Sequence, residues 1–164
     1  MLEVLRGAAV GDLDDGSRAA LDELGRLSGV AQFLTGPITT VQKVVTSDHS
    51  LVLFRHEGGG QPLGFLKYAT KDLYFYRKNG SLVQASTTCV LDFYVAEELQ
   101  RQGVGSLLFQ RMLQECPNIA PHKIAYDRPS PKLLAFMKKH FRLAQPDLQP
   151  NRYCLFEGFF LEEG

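Results

Sequence analysis

The fold is decided by four consecutive segments, Cys89-Val-Leu-Asp-Phe-Tyr-Val95, Ala96-Glu-Glu-Leu99, Gln100-Arg-Gln-Gly-Val-Gly-Ser106 and Leu107-Leu-Phe-Gln-Arg-Met-Leu113. The first is an apolar run that predicts a buried strand, and the last has the apolar spacing of an amphipathic helix. Two glycines lie where this helix begins. Successive N–H groups in such a turn, with the positive end of the helix dipole, form a site for a phosphate or pyrophosphate.

Two better-known phosphate loops do not match this turn. The dinucleotide fingerprint Gly-x-Gly-x-x-Gly needs a third small residue where this chain has Leu108, and the Gly-Lys-Ser/Thr of the P-loop is absent. The remaining pattern, Gln/Arg-x-x-Gly-x-Gly between a strand and a helix, resembles the acyl-CoA pyrophosphate loop of the GNAT N-acetyltransferases. From the residues alone, a turn with glycine for backbone reasons only stays open.

Composition favours one soluble globular domain over residues 1–164. The chain has 45% hydrophobic and 22% charged residues, no apolar run long enough to span a membrane, and no signal-peptide pattern at its start. Its formal net charge of zero argues against a nucleic-acid-binding protein. Cys89, Cys116 and Cys154 lack metal-ligand spacing, which favours reduced thiols and no metal. We therefore expect a cytoplasmic monomer that binds neither nucleic acid nor membrane.

Charge is unevenly distributed along the chain. Residues 100–142 contain eight Lys and Arg against two carboxylates, a local net charge of +6. This excess suits a phosphorylated cofactor or an acidic protein partner, although a solvent-exposed helix face would give the same pattern.

The first half of the chain predicts a helix followed by antiparallel strands. Residues 1–16 are either an edge strand or a poorly ordered lead-in. Apolar residues at helical spacing predict a helix from Ser17, with Asp15 or Ser17 as N-cap and Thr35-Gly36-Pro37 as its end. The Asn79-Gly80 pair is a strong hairpin signal and favours an antiparallel meander. The predicted strands are 38–46, 50–56, 63–68, 73–77 and 82–87.

The second half predicts alternating strands and helices. A strand at 88–95 and a helix at 103–115 are followed by a strand at 123–126, a helix beginning at Ser130 and Pro131, and a strand at 153–160. This order fits an α/β three-layer sandwich around a mixed, mostly antiparallel sheet. Ligands of open α/β sheets bind beyond the carboxyl ends of strands, which predicts a cleft containing residues 94–105 and 126–130.

Several motifs in one order extend the resemblance beyond the glycine loop. They make the chain, from about residue 17 onward, similar to the alpha-tubulin N-acetyltransferases, a divergent branch of the GNAT family. The resemblance implies a GNAT-like fold and an acyltransferase that uses acetyl-CoA. The motifs are Asp22–Gly25, Ala31–Thr39, Cys89–Val95, Gln100–Gly105, Asp127–Leu134 and Cys154–Phe160.

The resemblance also implies a set of site residues. Gln32, Asp127 and Cys89 would be catalytic, and Arg128 would contact an acidic substrate. The acceptor would be a lysine on the luminal side of α-tubulin in polymerised microtubules, which implies a cytoskeletal location that includes the axoneme of a cilium or flagellum. The acetyl-CoA contacts would be Phe93, Tyr94, Val95, Ala96, Leu99, Gln100, Arg101, Gln102, Gly103, Val104, Gly105, Ser106, Ser130, Pro131, Lys132, Leu133, Phe136 and Lys139.

The chemistry of lysine acetylation distributes roles among these residues. A lysine ammonium, with a reference pKa of about 10.4, must lose a proton before it attacks directly in a ternary complex. Asp127 is the first candidate to accept this proton. A carboxylate beside an arginine is a weak base, so two alternatives stay open: Asp127 only positions the acceptor, or it is a structural residue at a strand end. Cys89 is more typical of a buried apolar position, and the Gln32 amide does not titrate. Backbone N–H groups in 93–95 would serve the oxyanion.

Two other functions fit the same residues. One is a GNAT-fold acetyltransferase that acts on a small amine or on a different protein. The other is a microtubule-binding module with little catalysis. Acetylation of microtubules in preference to simple amines, and turnover by the pure protein, would distinguish these functions from tubulin acetylation.

Overall fold

The computed structural model describes residues 1–160, so residues 161–164 of the predicted domain lie outside the described residues. Short 3₁₀ helices cover Gly7–Asp12, Glu97–Leu99 and Pro121–Lys123. None of the helices within the described part combines the length and apolarity needed to cross a bilayer. The longer elements are the strands β1 Leu2–Arg6, β2 Ser50–Phe54, β3 Gly64–Tyr76, β4 Leu82–Val95, β5 Ala125–Asp127, β6 Asp147–Leu148 and β7 Tyr153–Leu155, and the helices α1 Asp15–Ala31, α2 Val41–Val45, α3 Val104–Glu115 and α4 Pro131–Phe141.

The strands form a mixed sheet in the order β1-β2-β3-β4-β5-β7-β6. β1 pairs antiparallel with β2, β2 with β3, β5 with β7, and β6 with β7. β4 and β5 are parallel, with Cys89 opposite Ala125 and Val90 opposite Tyr126. An α/β fold with a mixed, mostly antiparallel sheet flanked by helices is therefore confirmed.

Contacts divide the chain into two compact units, and the prediction of one domain stays a prediction. Unit 1 comprises Met1–Tyr68 and Asp92–Glu115, and unit 2 comprises Ala69–Leu91 and the chain from Cys116 onward. Strands β3 and β4 each contribute residues to both units.

The core of unit 1 covers both faces of β2. Leu51 and Leu53 form one buried cluster with Leu21 and Leu24 of α1. Val52, between them, is also fully buried, and side chains alternate between the faces of a strand. Helix α3 packs against β1 and β2. A strand covered on both faces is expected to be a continuous apolar run, and residues 51–54 of β2 form one.

The core of unit 2 is aromatic. Phe75 of β3 meets Phe159 edge-to-face with ring centroids 5.5 Å apart, and Phe159 meets Phe160 in the same way at 5.0 Å. Cys89 and Leu155 are buried in the same cluster. The predicted strand at 153–160 is strand only over Tyr153–Leu155, because the chain then turns and its aromatic residues fill this core.

Several local predictions differ from the structure in their boundaries. Residues 1–16 begin with an edge strand, one of the two alternatives. Helix α1 is capped by Asp14, whose carboxylate accepts a 2.7 Å hydrogen bond from the Ser17 N–H, and not by Asp15 or Ser17. The helix ends at Ala31, three residues before Leu34. The predicted strands at 63–68 and 73–77 form the single strand β3, and those at 82–87 and 88–95 form β4.

The predicted strand at 38–46 is wrong, because Val41–Val45 is a helix. Thr40 caps it by accepting from the Lys43 N–H at 3.1 Å, and the Asp22 carboxylate accepts from the Val41 N–H at 2.8 Å. These bonds satisfy two amides of the first turn. They outweigh the strand preference of the β-branched valines, which is weak and depends on context.

Two glycines on one face of α1 let the following segment approach the helix backbone. A Cβ on Gly25 would lie 1.9 Å from the Thr39 carbonyl oxygen, and a Cβ on Gly29 would lie 3.1 Å from that of Gly36. Neither position tolerates a side chain without movement of backbone atoms. The glycine pair therefore fixes where Thr39 lies, and Thr39 is fully buried.

Replacing Gly25 with alanine should destabilise the protein, although alanine normally stabilises a helix interior by about 1 kcal/mol relative to glycine. We expect Gly25→Ala to lower the free energy of unfolding by about 3 kcal/mol, because the methyl group displaces the Thr39 backbone. Urea unfolding checks this. The control is Gly36→Ala, whose Cβ would meet nothing within 4 Å, with an expected change below about 1 kcal/mol. Equal effects of the two substitutions would contradict the close approach.

Candidate active site

The glycine loop in unit 1 has the geometry of an anion site. Arg101 and Gly103 both have left-handed backbone conformations, with φ of 69° and 82°. Helix α3 begins immediately afterwards at Val104, so the amides of Val104, Gly105 and Ser106 have no acceptor within the helix. A Cβ on Gly103 would meet no atom within 4 Å, so the turn opens to free space. A pyrophosphate therefore fits this loop.

Side chains of the loop hold its backbone in place. The Gln100 amide nitrogen donates to the Val95 carbonyl at 2.8 Å, and that of Gln102 donates to the Glu98 carbonyl at 2.9 Å. Leu99 is buried beneath the turn. The side chains of Gln100 and Gln102 are therefore occupied in bracing the loop, and the backbone amides are the groups that it offers to a ligand.

The predicted cofactor residues of unit 2 lie along α4, from its N-cap Ser130 to Lys139 in its last turn. Ser130 is the N-cap, as predicted, and its hydroxyl accepts from the Leu133 N–H at 3.1 Å. Pro131, Lys132 and Lys139 are exposed, whereas Leu133 is buried. The Phe136 ring lies 4.4 Å from that of His140. The two lysines therefore face solvent, Leu133 faces the protein, and the cofactor role of these residues stays a prediction.

Asp127 is the last residue of β5, and Arg128 follows it directly. The Arg128 Nε lies 3.7 Å from the Asp127 Oδ1 in a partly buried ion pair. The backbone of Arg128 is left-handed, with φ of 43°, and its N–H donates to the carbonyl of Arg152 at 3.1 Å. The buried Arg128 Nε has no hydrogen-bond partner among residues 1–160. The Arg128 side chain as a whole is 33% exposed, so the rest of its guanidinium group can contact an acidic group.

Tyr153 joins this cluster, and sequence reasoning did not select it. It lies directly opposite Asp127 in the antiparallel register of β5 and β7. Cys89 pairs with Ala125, two residues before Asp127, so the side chains of Cys89, Asp127 and Tyr153 share one face of the sheet. Burial first, and then the Asp127 charge, raise the pKa of the Tyr153 hydroxyl. Only the strand register could have revealed this neighbour.

Cys89 is a protonated thiol under ordinary conditions. It is fully buried, and burial, reinforced by the Asp127 charge, raises its pKa from 9.0 to about 12. The thiol donates weakly to the Thr87 carbonyl at 3.5 Å. A thiol with this pKa is a poor proton acceptor near neutral pH. The catalytic role of Cys89 stays a prediction, and its environment favours packing.

Gln32 is the C-cap of α1, and its side chain meets a buried carboxylate that the sequence analysis did not select. Its amide nitrogen lies 3.0 Å from the Ser28 Oγ and 3.3 Å from the Asp92 Oδ1. Asp92 also accepts from the N–H of Phe93 at 2.9 Å. That amide is therefore engaged, which removes one of the three expected oxyanion donors. A charged residue within the apolar run 89–95 was the available signal for Asp92.

No cluster of three or more metal-ligating side chains occurs within residues 1–160. The three cysteines, which all lie in that range, form no disulfide.

Residues 8–164 match the family model described as GNAT acetyltransferase, Mec-17. Proteins named alpha-tubulin N-acetyltransferase are 45% identical in Aedes aegypti over 84% of this chain and 41% identical in Phytophthora infestans over 86% of it. The matched region is 51% of the Aedes aegypti protein and 87% of the Phytophthora infestans protein. The chain spans about half or less of the first three curated relatives, those of Aedes aegypti, Anopheles gambiae and Tetrahymena thermophila.

Solved acetyltransferase structures share the fold. The acetyltransferase domain of xEco2, bound to a K105-CoA conjugate, matches with a TM-score of 0.60 and 9% identity over 94% of this chain and 89% of that chain. Escherichia coli ElaA matches with a TM-score of 0.59 and 13% identity over 95% of this chain and 97% of that chain. At these identities the likeness concerns the fold alone, and it confirms the predicted GNAT-like fold.

The buried thiols should make the protein lose stability in alkali. Burial raises the pKa of Cys89 from 9.0 to about 12 and that of Cys154 from 9.0 to about 11. For each cysteine, between pH 9.0 and its raised pKa, the thiol is ionised in the unfolded chain and protonated in the folded chain. The stabilisation is thus complete below pH 9 and is lost as the pH rises towards 12, by at most about 1.4 kcal/mol per pH unit for each thiol.

Urea unfolding from pH 8 to 11 measures this slope. We expect Cys89→Ala to flatten it across the whole range above pH 9 and Cys154→Ala to flatten it by a similar amount up to about pH 11. A slope that Cys89→Ala leaves unchanged would show that the thiol ionises equally in both states.

Proposed function

Because the chain belongs to the Mec-17 family of GNAT acetyltransferases, we propose that it transfers the acetyl group of acetyl-CoA to a lysine side chain of α-tubulin. The observation that carries this proposal is the 41% identity to a relative named alpha-tubulin N-acetyltransferase of which the chain covers 87%. The phosphate-binding geometry of residues 100–106 supports a CoA ligand independently of that name.

Acetyl-CoA would supply a thioester, whose acetyl group an amine can attack. The α3 amides of Val104, Gly105 and Ser106 would bind its pyrophosphate, with Arg101 at the rim of the turn. Lys132 and Lys139 add positive charge on α4 of unit 2. The predicted contacts within residues 93–99 are in our proposal the walls of the same site.

The predicted catalytic and substrate-contacting residues would divide the acceptor chemistry among them. Asp127 would orient the lysine and accept its proton directly or through water, with Arg128 contacting acidic residues of the substrate. Arg152 would provide a second cation in this cluster, since the charges of Arg152 and Arg128 both act on the Tyr153 hydroxyl. Cys89 would shape the site as a protonated thiol, and Gln32 would contact the acceptor without titrating.

The finer assignments come from the family resemblance. We propose that the acceptor is a luminal lysine of polymerised microtubules, reached by direct attack in a ternary complex, and that the enzyme is a cytoplasmic monomer associated with the cytoskeleton, including axonemes. An acetyltransferase for another amine and a microtubule-binding module with little catalysis are the competing functions.

The first experiment is transfer of label from acetyl-CoA to taxol-stabilised microtubules. We expect the wild type to label one lysine of α-tubulin, and Asp127→Asn to lower kcat by 100-fold or more, because general acid–base catalysis contributes about 10² to 10⁴. Gln32→Ala should also lose most activity. The control Asp48→Asn removes an exposed carboxylate whose side chain makes no contact that the structure records, and should leave the rate unchanged.

The competing functions give different results in this assay. Transfer to free amines, with tubulin unlabelled, would indicate an acetyltransferase with another substrate. Microtubule binding without turnover by the pure protein would indicate a binding module. Full activity of Asp127→Asn would remove Asp127 from the acceptor chemistry and leave the tubulin assignment intact.

The cofactor loop gives a second prediction. Gly103 has a φ of 82°, which alanine adopts only with strain, so Gly103→Ala should distort the turn and weaken acetyl-CoA binding about tenfold. Isothermal titration measures the dissociation constant directly. Gly36 is also exposed but does not have a left-handed backbone, so Gly36→Ala should bind acetyl-CoA as the wild type does. An unchanged affinity of Gly103→Ala would place the pyrophosphate elsewhere.

A further inference from the structure

Asp92 is a buried carboxylate that accepts all of its hydrogen bonds from neutral groups. It is 4% exposed and forms no ion pair with a Lys or Arg among residues 1–160. The Ser28 hydroxyl donates to it at 2.7 Å, the Thr39 hydroxyl at 2.5 Å and the Phe93 N–H at 2.9 Å. A carboxylate so placed can only accept, so any amide beside it must turn its nitrogen towards it.

This requirement fixes the orientation of the Gln32 amide. Its nitrogen donates to the Ser28 Oγ and to the Asp92 Oδ1. The Ser28 hydroxyl has already given its hydrogen to Asp92, so its oxygen is available only as an acceptor. Both amide hydrogens of Gln32 are therefore directed inward. The carbonyl oxygen Oε1 receives no hydrogen bond from residues 1–160, and the residue is only partly buried.

We propose that Asp92 is a positioning residue for Gln32, holding its amide with the nitrogen inward so that Oε1 receives an N–H of the substrate amine. This inference rests on the proposed function, in which Gln32 contacts the acceptor lysine. An ammonium and a neutral amine both donate N–H, so one carbonyl oxygen can hold the acceptor nitrogen before and after it loses its proton. Asp92 acts through Gln32 and does not touch the substrate.

The negative charge of Asp92 disfavours the opposite orientation of the Gln32 amide. If Oε1 turned inward, an oxygen would face the Asp92 carboxylate, and two acceptors would be buried together without a proton between them. Thr39 helps to hold Asp92 in this position. Gly25 and Gly29 let the Thr39 segment pack closely against α1, and the Thr39 hydroxyl donates to the other Asp92 oxygen, Oδ2. Segments from three parts of unit 1 thus determine which end of one amide is presented outward.

The test pairs a carboxylate at position 32 with removal of the charge at position 92. Gln32→Glu offers the same outward oxygen but places a negative charge against Asp92, so we expect kcat/KM for microtubules to fall about 100-fold. Asp92→Asn alone should lower it about fivefold, because a neutral amide holds the Gln32 nitrogen less strongly than a carboxylate does. The control Glu23→Gln, at an exposed position on α1, should behave as the wild type.

The double variant Gln32→Glu/Asp92→Asn is decisive. The like charge is gone and the Ser28 hydroxyl can donate to Glu, so we expect kcat/KM about tenfold above that of Gln32→Glu alone. Asp92→Asn would thus lower kcat/KM when residue 32 is the native Gln and raise it when residue 32 has been changed to Glu. If instead the double variant were as inactive as Gln32→Glu or worse, position 32 would need an outward N–H donor, and the proposal would be overturned.

A measurement on the wild type does not depend on variants folding or on activity. In ¹⁵N-labelled protein, the side-chain amide signals of Gln32, identified by their absence in Gln32→Ala, should exchange slowly with water and show Overhauser contacts to the β protons of Ser28. Rapid exchange and no such contact would refute the inward nitrogen. If that signature is found but microtubules are not acetylated, the orientation stands and the proposed function fails, so the two failures are distinguishable.

Discussion

A buried charge imposes the strictest condition on the arrangement of unit 1. Asp92 has little access to water and no cationic partner among residues 1–160, so its desolvation has to be offset by hydrogen bonds. The four donors come from the end of α1, from Thr39 and from the backbone of β4. Loss of any one element would leave an underbonded carboxylate in the core. The network therefore couples the packing of the helix to the geometry of the strand end.

Backbone conformation carries much of the chemistry at the proposed sites. Arg101 and Gly103 turn left-handed before α3, and Arg128 and Arg152 do so beyond β5 and before β7. Within regular strands and helices the backbone amides are already hydrogen-bonded to one another. Groups that can bind a ligand are therefore found where the chain leaves those elements. In the loop before α3 the free groups are helix amides, which suit phosphate. Beside Asp127 the chain instead offers the guanidinium groups of Arg128 and Arg152, which suit a carboxylate.

Local rules explain which predictions succeeded. The Ser130 cap, Pro131 at the first position of α4, helix α3 and the hairpin at Asn79-Gly80 all depend on interactions between residues at most four positions apart. Such interactions are encoded in neighbouring letters of the sequence. The predicted strand at 38–46 failed because the Asp22 carboxylate, nineteen residues from Val41, supports a helix there. The family motifs indicated the candidate cofactor loop and Asp127 for the same reason, since each is a short contiguous pattern.

The sequence by itself therefore determined the α/β class, the glycine turn before α3, the capped start of α4 and the family. Tertiary structure alone decided that Tyr153 faces Asp127, that Cys89 is a buried thiol with a raised pKa, and that Asp92 orients the amide of Gln32. The physical reason is distance along the chain. Asp92 lies 64 residues from Ser28 and 53 from Thr39, and no spacing rule reaches that far. Which residues so far apart come into contact depends on which elements pack together, and that packing is determined by the core as a whole.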